Sequence, residues 1–347
     1  MRKRLLILLF LLIPAVAFGW GVALMGIPSS DSDSTFRFEV KTAGADTFKL
    51  PIYNGGTYNF TVVWGDGGSD TITAFDDAAA NHSYAGAGTY NVEITGVITG
   101  WRFNNAGDKT LIYDISEFGP LDLGNLNGYF FGCTNLTISA TDELDLTGTT
   151  NMESMFRFCS SLTTAPTMLL WDTSAVTNMT YMFSGCTNFN QSVSNFNTAL
   201  VTNIRYMFSD CTNFNQSVSN FNTALVTNMI AMFNGCVPFN QSVSNFNTVL
   251  VTNMSAMFQG CTNFNQSVAN FNIAKVVTMT NMFYLANALS TANYDALLIA
   301  WEAQVEKPNV VFHAGDAVMT LGGAAEAARN ALVANGWTIT DSTGEHT

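Results

Sequence analysis

The sequence CTNFNQSVSNFNTALVTN stands at Cys186–Asn203 and is repeated letter for letter at Cys211–Asn228. The cysteines keep this spacing over a longer region, because successive ones are 25 to 27 residues apart. They are Cys133, Cys159, Cys186, Cys211, Cys236 and Cys261. Self-similarity at such a period is typical of repeat proteins, in which no repeat can bury its apolar side chains alone.

Within one repeat, apolar residues stand at i, i+3, i+4 and i+7, the spacing of one face of a short helix. These residues are Ile204, Met207, Phe208 and Cys211. The apolar residues that follow, Phe214, Val218 and Phe221, are separated by polar ones, which predicts a short extended segment. Each repeat is therefore predicted to contribute one helical turn and one extended stretch.

Ordering a repeat of this length costs more free energy than burying its own apolar side chains supplies, so the repeats must stack. We expect an α/β solenoid of about seven coils over residues 127–289. Its core is predicted to hold the Met-Phe pairs and cysteines of the central repeats. These are Met182, Phe183, Cys186, Met207, Phe208, Cys211, Met232, Phe233, Cys236, Met257, Phe258 and Cys261.

Stacked segments repeat at about 4.8 Å, and the Cβ atoms of a disulfide lie about 3.5 to 4.5 Å apart. The cysteine column therefore predicts reduced thiols that pack as small hydrophobes. The alternative is three disulfides. Export from the cytoplasm and an even number of cysteines both favour this alternative.

Amide and hydroxyl residues also recur together in four repeats. Stacked amides can pass hydrogen bonds from coil to coil, which gives them a structural role. The alternative is that this uncharged strip binds a ligand. Its members are Asn190, Gln191, Ser192, Asn215, Gln216, Ser217, Asn240, Gln241, Ser242, Asn265, Gln266 and Ser267.

The repeat unit, with Val-Thr-Asn-Met before Met-Phe and Phe-Asn-Gln after the cysteine, resembles BspA-like leucine-rich repeat surface proteins. These carry 25-residue repeats of the mycoplasma-lipoprotein type. The resemblance covers about Leu121–Leu289. It implies a leucine-rich-repeat-like solenoid on a cell-surface protein associated with adhesion, and it identifies no ligand.

The 347-residue chain has 13 Lys and Arg against 26 Asp and Glu, so its formal net charge is −13. Binding to nucleic acid or to an anionic membrane surface needs clustered basic side chains, which this sequence lacks. Only 11% of its residues are charged, so amides and hydroxyls must cover much of the surface.

The beginning of the chain has the pattern of an export signal. Arg2, Lys3 and Arg4 precede an apolar run, and the small-residue triplet Ala15-Val16-Ala17 follows it. We expect residues 1–17 to be a signal peptide and residues 18–33 a linker. The alternative is an uncleaved anchor, since apolar residues continue to Leu24. Both place the protein outside the cytoplasm, secreted or at the cell surface, with membrane attachment only through this segment.

Residues 34–101 alternate short β-rich runs with glycine turns, which predicts a β-sandwich. Trp64-Gly-Asp-Gly67, His82-Ser-Tyr84 and Gly88-Thr-Tyr90 are similar to the motifs of PKD-type domains, which implies an extracellular spacer or adhesion module. Asp66 could bind a metal ion or act as an acid. In a Gly-Asp-Gly turn, however, an aspartate more often accepts hydrogen bonds from its own backbone.

Two segments are predicted to close the ends of the repeats. Residues 102–126 form a connector and N-terminal cap. Residues 290–347 form a C-terminal cap of αβαβ order, because helical spacing at Tyr294–Trp301 is followed by the β-rich run Val310–Phe312 and an alanine-rich segment. A solenoid needs such closing units to cover the apolar faces of its terminal coils.

No catalytic, nucleotide-binding or metal-binding motif occurs in the sequence. We therefore expect a non-enzymatic, monomeric surface protein without a cofactor or metal, which binds a protein or glycan on a cell or host surface. One alternative is a passive stalk or envelope component without a specific ligand. A secreted hydrolase is a further alternative, since catalytic residues distant in sequence can meet in space.

Overall fold

The structure is a computed structural model that describes residues 35–342. The predicted signal peptide, the predicted linker and the last five residues lie outside this range. No helix within residues 35–342 has the length and apolar character needed to span a membrane.

The N-terminal part consists of nine strands. They are β1 (Thr35–Thr42), β2 (Asp46–Lys49), β3 (Thr57–Val63), β4 (Ser69–Ile72), β5 (Asn81–Tyr84), β6 (Gly88–Thr99), β7 (Ile112–Glu117), β8 (Leu121–Asp122) and β9 (Thr137–Ile138). Seven of them form one sheet in the order β4-β3-β6-β1-β7-β9, with β8 paired to β6. The strands β2 and β5 form a separate antiparallel pair.

The large sheet is mixed, because β8 and β9 join it in parallel and the other pairs are antiparallel. Its residues alternate as a half-buried strand requires: along β3, Tyr58, Phe60 and Val62 are buried while their neighbours are exposed. The register is set by this pattern, with Phe38 of β1 opposite Val92 of β6.

The predicted fold class, a β-sandwich followed by a leucine-rich-repeat-like α/β solenoid of about seven coils with a C-terminal αβαβ cap, is wrong. In the described range the fold is a mixed, sheet-rich one with two α-helices, both of which follow the repeats. Its seven-stranded sheet is neither closed nor wound into a solenoid. Strand pairing also continues past the predicted sandwich into β9, within the first repeat.

The predicted helical turn of each repeat fails because two of its residues are left-handed. Tyr206 has φ 57° and Asp210 has φ 60°, which a right-handed helix does not allow. Alternate N–H groups therefore point out of the segment. Those of Tyr206, Phe208 and Asp210 donate to carbonyls one repeat onward, at 2.7 to 3.0 Å.

The N–H groups of the residues in between form local turns instead. One example is the bond from the Met207 N–H to the Ile204 carbonyl at 3.2 Å. Ile204, Met207, Phe208 and Cys211 are nevertheless all buried. A chain of turns thus places these side chains inside, and between Ile204 and Cys211 it uses no i→i−4 hydrogen bond of the α-helical kind.

The predicted extended segment is also absent, because turns separate its apolar residues. The N–H of Phe214 donates to the Cys211 carbonyl, and that of Phe221 donates to the Val218 carbonyl. Successive repeats meet instead through single parallel β-bridges. These link Asn151, Asn178, Asn203, Asn228, Asn253 and Thr278 in one line.

Phenylalanine rings fill the interior of the repeats in two parallel rows. In the first, neighbouring rings are 5.5 to 5.8 Å apart and within 12° of parallel. It contains Phe130, Phe156, Phe183, Phe208, Phe233, Phe258 and Phe283. The second row, Phe189, Phe214, Phe239 and Phe264, has spacings of 6.1 to 6.2 Å. This apolar interior is continuous with the core of the sheet.

The C-terminal segment contains α1 (Thr291–Glu302), β10 (Val311–His313), α2 (Ala324–Ala334) and β11 (Thr338–Thr340). Ser290 caps α1, because its hydroxyl accepts from the N–H of Asn293. The strands β10 and β11 pair in parallel. Trp301 and Phe312 are buried, and the Phe312 ring meets Phe283 edge-on at 6.2 Å.

Candidate ligand-binding surface

The predicted Asn and Gln residues lie side by side in a hydrogen-bonded array, which we call the amide ladder. The Oδ1 atom of Asn190 accepts from the N–H of Asn215 at 2.9 Å and from Nε2 of Gln216 at 3.1 Å. Asn215 accepts in the same way from Asn240 and Gln241, both at 3.0 Å. The same two bonds occur again one repeat further on.

Both ends of the amide ladder are joined to other segments. Oδ1 of Asn265 accepts from the N–H of Ser290 and from Nδ2 of Asn293, each at 2.9 Å. At the other end, Gln191 donates from Nε2 to the Ala165 carbonyl at 2.7 Å and accepts from the Ala165 N–H. The ladder therefore ties the repeats to each other and to the start of α1.

The predicted serines form a row of paired hydroxyls beside the ladder. Ser217 donates to the hydroxyl of Ser219 at 3.0 Å, and Ser242 donates to that of Ser244 at 3.0 Å. Ser192 and Ser194 are paired in the same way at 3.1 Å. Ser267 has no such partner, because the residue two positions later is alanine.

Several polar groups of this surface have no partner among the described residues. Nδ2 of Asn190, Asn215 and Asn240 donates no hydrogen bond within residues 35–342, although Oδ1 of each is fixed in the ladder. Ser219 and Ser244 are exposed, and each can donate its own proton outward. The surface thus offers uncharged donors, held in place by the ladder, at each repeat.

A second ladder, of buried threonines, was not predicted. The hydroxyl of Thr198 accepts from the N–H of Asn222 at 2.7 Å and donates to the carbonyl of the same residue at 3.0 Å. Thr223 makes the equivalent pair of bonds with Asn247. The sequence held the signal, since threonine recurs at one position of successive repeats. These residues hold the stack together and are not available to a ligand.

The predicted core residues are all buried, and each of the six cysteines is unpaired. Most of the thiols donate across the repeats to a phenylalanine carbonyl, as Cys211 does to Phe183 at 2.9 Å and Cys236 to Phe208 at 3.0 Å. Burial raises the pKa of every thiol well above its ordinary value. The column therefore has the character of apolar core.

Asp66 lies in a turn of the N-terminal part, where its carboxylate has two partners. Oδ1 accepts from the N–H of Gly68 at 2.9 Å, and Oδ2 lies 2.8 Å from Nε2 of His82. The hydrogen bond with His82 is the largest of the effects that lower the pKa of Asp66. His82 in turn stacks on Trp64 at 4.6 Å. The arrangement fixes the turn, and among residues 35–342 no three His, Cys, Asp or Glu side chains are grouped to hold a metal ion.

The sequence profile of one family, described as Mycoplasma protein of unknown function, DUF285, matches residues 124–236 and again residues 215–316. The two matches overlap and together extend over more than half of the chain. No curated protein and no solved structure matches the sequence. The resemblances to BspA-like proteins and to PKD-type domains therefore remain predictions.

Proposed function

The chain belongs to the family of Mycoplasma proteins of unknown function, DUF285, and from this premise we propose that it is an exported cell-surface adhesion protein. In this proposal it binds a protein or glycan through the uncharged face made by the amide ladder and its serine rows. The proposal assigns it no catalytic activity. Export rests on the sequence alone, through the basic residues Arg2, Lys3 and Arg4 before an apolar run.

The observation that supports the proposal is that the Oδ1 and Nδ2 groups of each ladder asparagine have different roles. Oδ1 of Asn215 accepts two hydrogen bonds, so the side chain is held in one orientation. Its Nδ2 group is left to donate to a partner. A ligand that binds such fixed groups loses little affinity to the ordering of side chains. Because the groups recur in each repeat, a partner can also engage several of them at once.

The test is an array of glycans and host proteins probed with the whole chain and two variants. Ser219→Arg with Ser244→Arg places two bulky charges on the proposed face. Leu200→Arg with Leu225→Arg adds the same charge at side chains that are 48% and 42% exposed in another column of the repeats. We expect the serine variant to lose its ligand and the leucine variant to keep it. Equal binding by all three proteins would contradict the proposed face.

A passive stalk is the second candidate, and one observation favours it. The hydrogen bonds of the amide ladder link Asn190, Asn215, Asn240 and Asn265 through groups of the chain itself. A stalk needs only this cohesion between repeats. It predicts no binding above background to any array feature, together with a large loss of stability when Asn215 is replaced by Leu. Ligand binding at the array would exclude this function.

A further inference from the structure

Two adjacent repeats of this chain differ in a single segment. The two identical segments Cys186–Asn203 and Cys211–Asn228 are followed by Ile204–Asp210, which reads IRYMFSD, and by Met229–Gly235, which reads MIAMFNG. The Met-Phe pair common to both is buried. These two repeats thus share both ladders and the buried Met-Phe pair, and they differ in one turn.

We call this surface the turn face, and it consists of the outward side chains of residues 153–158, 180–185, 205–210 and 230–235. Two residues of each of these segments are left-handed, and Tyr181 and Tyr206 have φ 56° and 57°. Equivalent residues of adjacent repeats therefore stack directly over one another. The rings of Tyr181 and Tyr206 are 4.6 Å apart and within 10° of parallel.

Arginines and aromatic rings alternate at one end of the turn face. The guanidinium of Arg157 lies 5.1 Å from the Phe131 ring, 5.0 Å from Phe158 and 4.2 Å from Tyr181. Arg205 lies 5.6 Å from the same Tyr181 ring. Phe158 is 41% exposed, and the two arginines and two tyrosines are half-buried. The cluster is therefore accessible from solvent.

These two arginines lack the carboxylate partners that arginines normally have at such sites. Neither forms an ion pair within residues 35–342, and the Nε atom of each is buried without a hydrogen-bond partner. The nearby carboxylate of Glu153 accepts from Nδ2 of Asn178 instead. Two cations that contact one ring repel each other, and an anion placed between them would relieve the repulsion.

We propose that this end of the turn face binds an acidic glycan. The apolar C–H face of a sugar ring packs against an exposed aromatic ring, and a guanidinium binds a carboxylate through two parallel hydrogen bonds. Phe158, Tyr181 and Tyr206 supply the rings, and Arg157 and Arg205 supply the charges. A net charge of −13 disfavours a long polyanion such as nucleic acid, whereas two arginines suit a few spaced carboxylates.

The inference rests on the proposed function and names a ligand class and a second face for it. Its test measures binding of a hyaluronan octasaccharide, which has a carboxylate on alternate sugars, to the full chain by calorimetry. We expect Arg157→Gln with Arg205→Gln to weaken binding at least tenfold. Lys275→Gln, which removes an exposed cation elsewhere in the repeats, should leave the affinity unchanged. The carboxyl-reduced octasaccharide should bind at least tenfold more weakly to the unmodified chain.

A measurement on the unmodified protein covers the case in which the double variant does not fold. Bound octasaccharide should protect Arg157 and Arg205 from phenylglyoxal, as mapped by mass spectrometry, while Arg102 and Arg329 react at their unliganded rates. The inference is overturned if neither arginine is protected, if the neutral sugar binds equally well, or if a deoxythymidine oligonucleotide binds more tightly. If an array ligand depends on Ser219 and Ser244 while the octasaccharide protects neither arginine, the proposed function stands and this inference fails.

Discussion

Gly185 and Gly260 occupy the same position in two repeats, and both are left-handed, with φ 76° and 71°. A Cβ at residue 260 would lie 3.5 Å from the nearest atom, an ordinary contact. Gly260→Ala should therefore cost only the backbone strain of a left-handed alanine, about 1 to 2 kcal/mol. A Cβ at residue 185 would lie 2.2 Å from the Phe158 ring, so Gly185→Ala must also displace that ring. Urea unfolding should show the larger loss of stability for Gly185→Ala, and equal losses of stability in the two variants would contradict this account.

Thr198 tests the buried threonine ladder, because valine has nearly the same shape but no hydroxyl. Thr198→Val leaves the N–H and carbonyl of Asn222 without the partner they have now. Because Thr198 is buried, the valine side chain would also exclude water from these two groups, and a group left unpaired in this way costs about 1 to 3 kcal/mol.

The control is Thr202→Val, since that hydroxyl is exposed and water can replace its bond to the Thr177 carbonyl. Thr202→Val should lower the free energy of unfolding by no more than about 0.5 kcal/mol. Thermal unfolding measures both variants, and a Thr198→Val protein as stable as the control would show that the ladder contributes nothing.

At the residue scale, burial could be predicted from the sequence and backbone conformation could not. The spacing of Ile204, Met207, Phe208 and Cys211 fits a helix face, but a chain of turns that is left-handed at two residues buries the same positions. A weak signal was present, because glycine at 185, 235 and 260 marks a position that favours positive φ. Tyrosine and alanine at the other left-handed position, as in Tyr206 and Ala231, gave no such signal.

The column of cysteines makes the stability of the repeats depend on pH. Burial raises the pKa of these thiols, so they stay neutral in the folded protein while unfolded thiols ionise above a pH of about 8.5. The unfolded state then binds fewer protons, and each such thiol lowers the free energy of unfolding by about 1.4 kcal/mol per pH unit. The stabilisation is complete below that pH and is lost as the pH rises toward the folded pKa.

We expect the urea midpoint to change little between pH 7 and 8 and to fall steeply by pH 9.5, a pH at which unfolded tyrosines, with a pKa of about 10, are still mostly neutral. Cys211→Ala with Cys236→Ala removes two of the titrating groups, so its midpoint should fall less steeply. Parallel curves for the two proteins would show that the thiols are not the cause. Rapid reaction of the native protein with a thiol reagent would contradict their burial.

At the scale of the whole molecule, period and composition predict a stack of dependent units but not how those units join the sheet. β9 pairs with β7 through Thr137–Ile138, two residues that no strand-like alternation marks in the sequence. Likewise, the recurrence of Asn190 and Asn215 predicts that their side chains meet. It could not show which amide group is bonded within the chain and which is left free. The arginine and aromatic cluster escaped prediction because its two arginines come from different repeats and occupy different positions in them.

The C-terminal segment covers the last repeat, which a truncation can show. Trp301 donates to the Val268 carbonyl at 3.3 Å, Met279 forms a β-bridge with Phe312, and the Phe312 ring packs on Phe283. Ending the chain at Ser290 would expose the buried side chains of Met279 and Phe283 and would leave their N–H groups, which now donate to carbonyls of β10, without a partner. An exposed apolar surface with open backbone groups promotes association between chains. We therefore expect aggregation in light scattering.

Deleting Cys211–Gly235 is the matched control, since it removes about half as many residues from the interior of the chain. The deletion joins Asp210 to Cys236, so each remaining repeat keeps a neighbour with the same phenylalanine, threonine and asparagine positions. Its backbone bonds and ring stacking can therefore re-form in register. This protein should stay soluble and unfold in one cooperative transition. A soluble, cooperative truncation at Ser290, or an aggregated internal deletion, would show that contacts other than those between adjacent repeats and the C-terminal segment hold the molecule together.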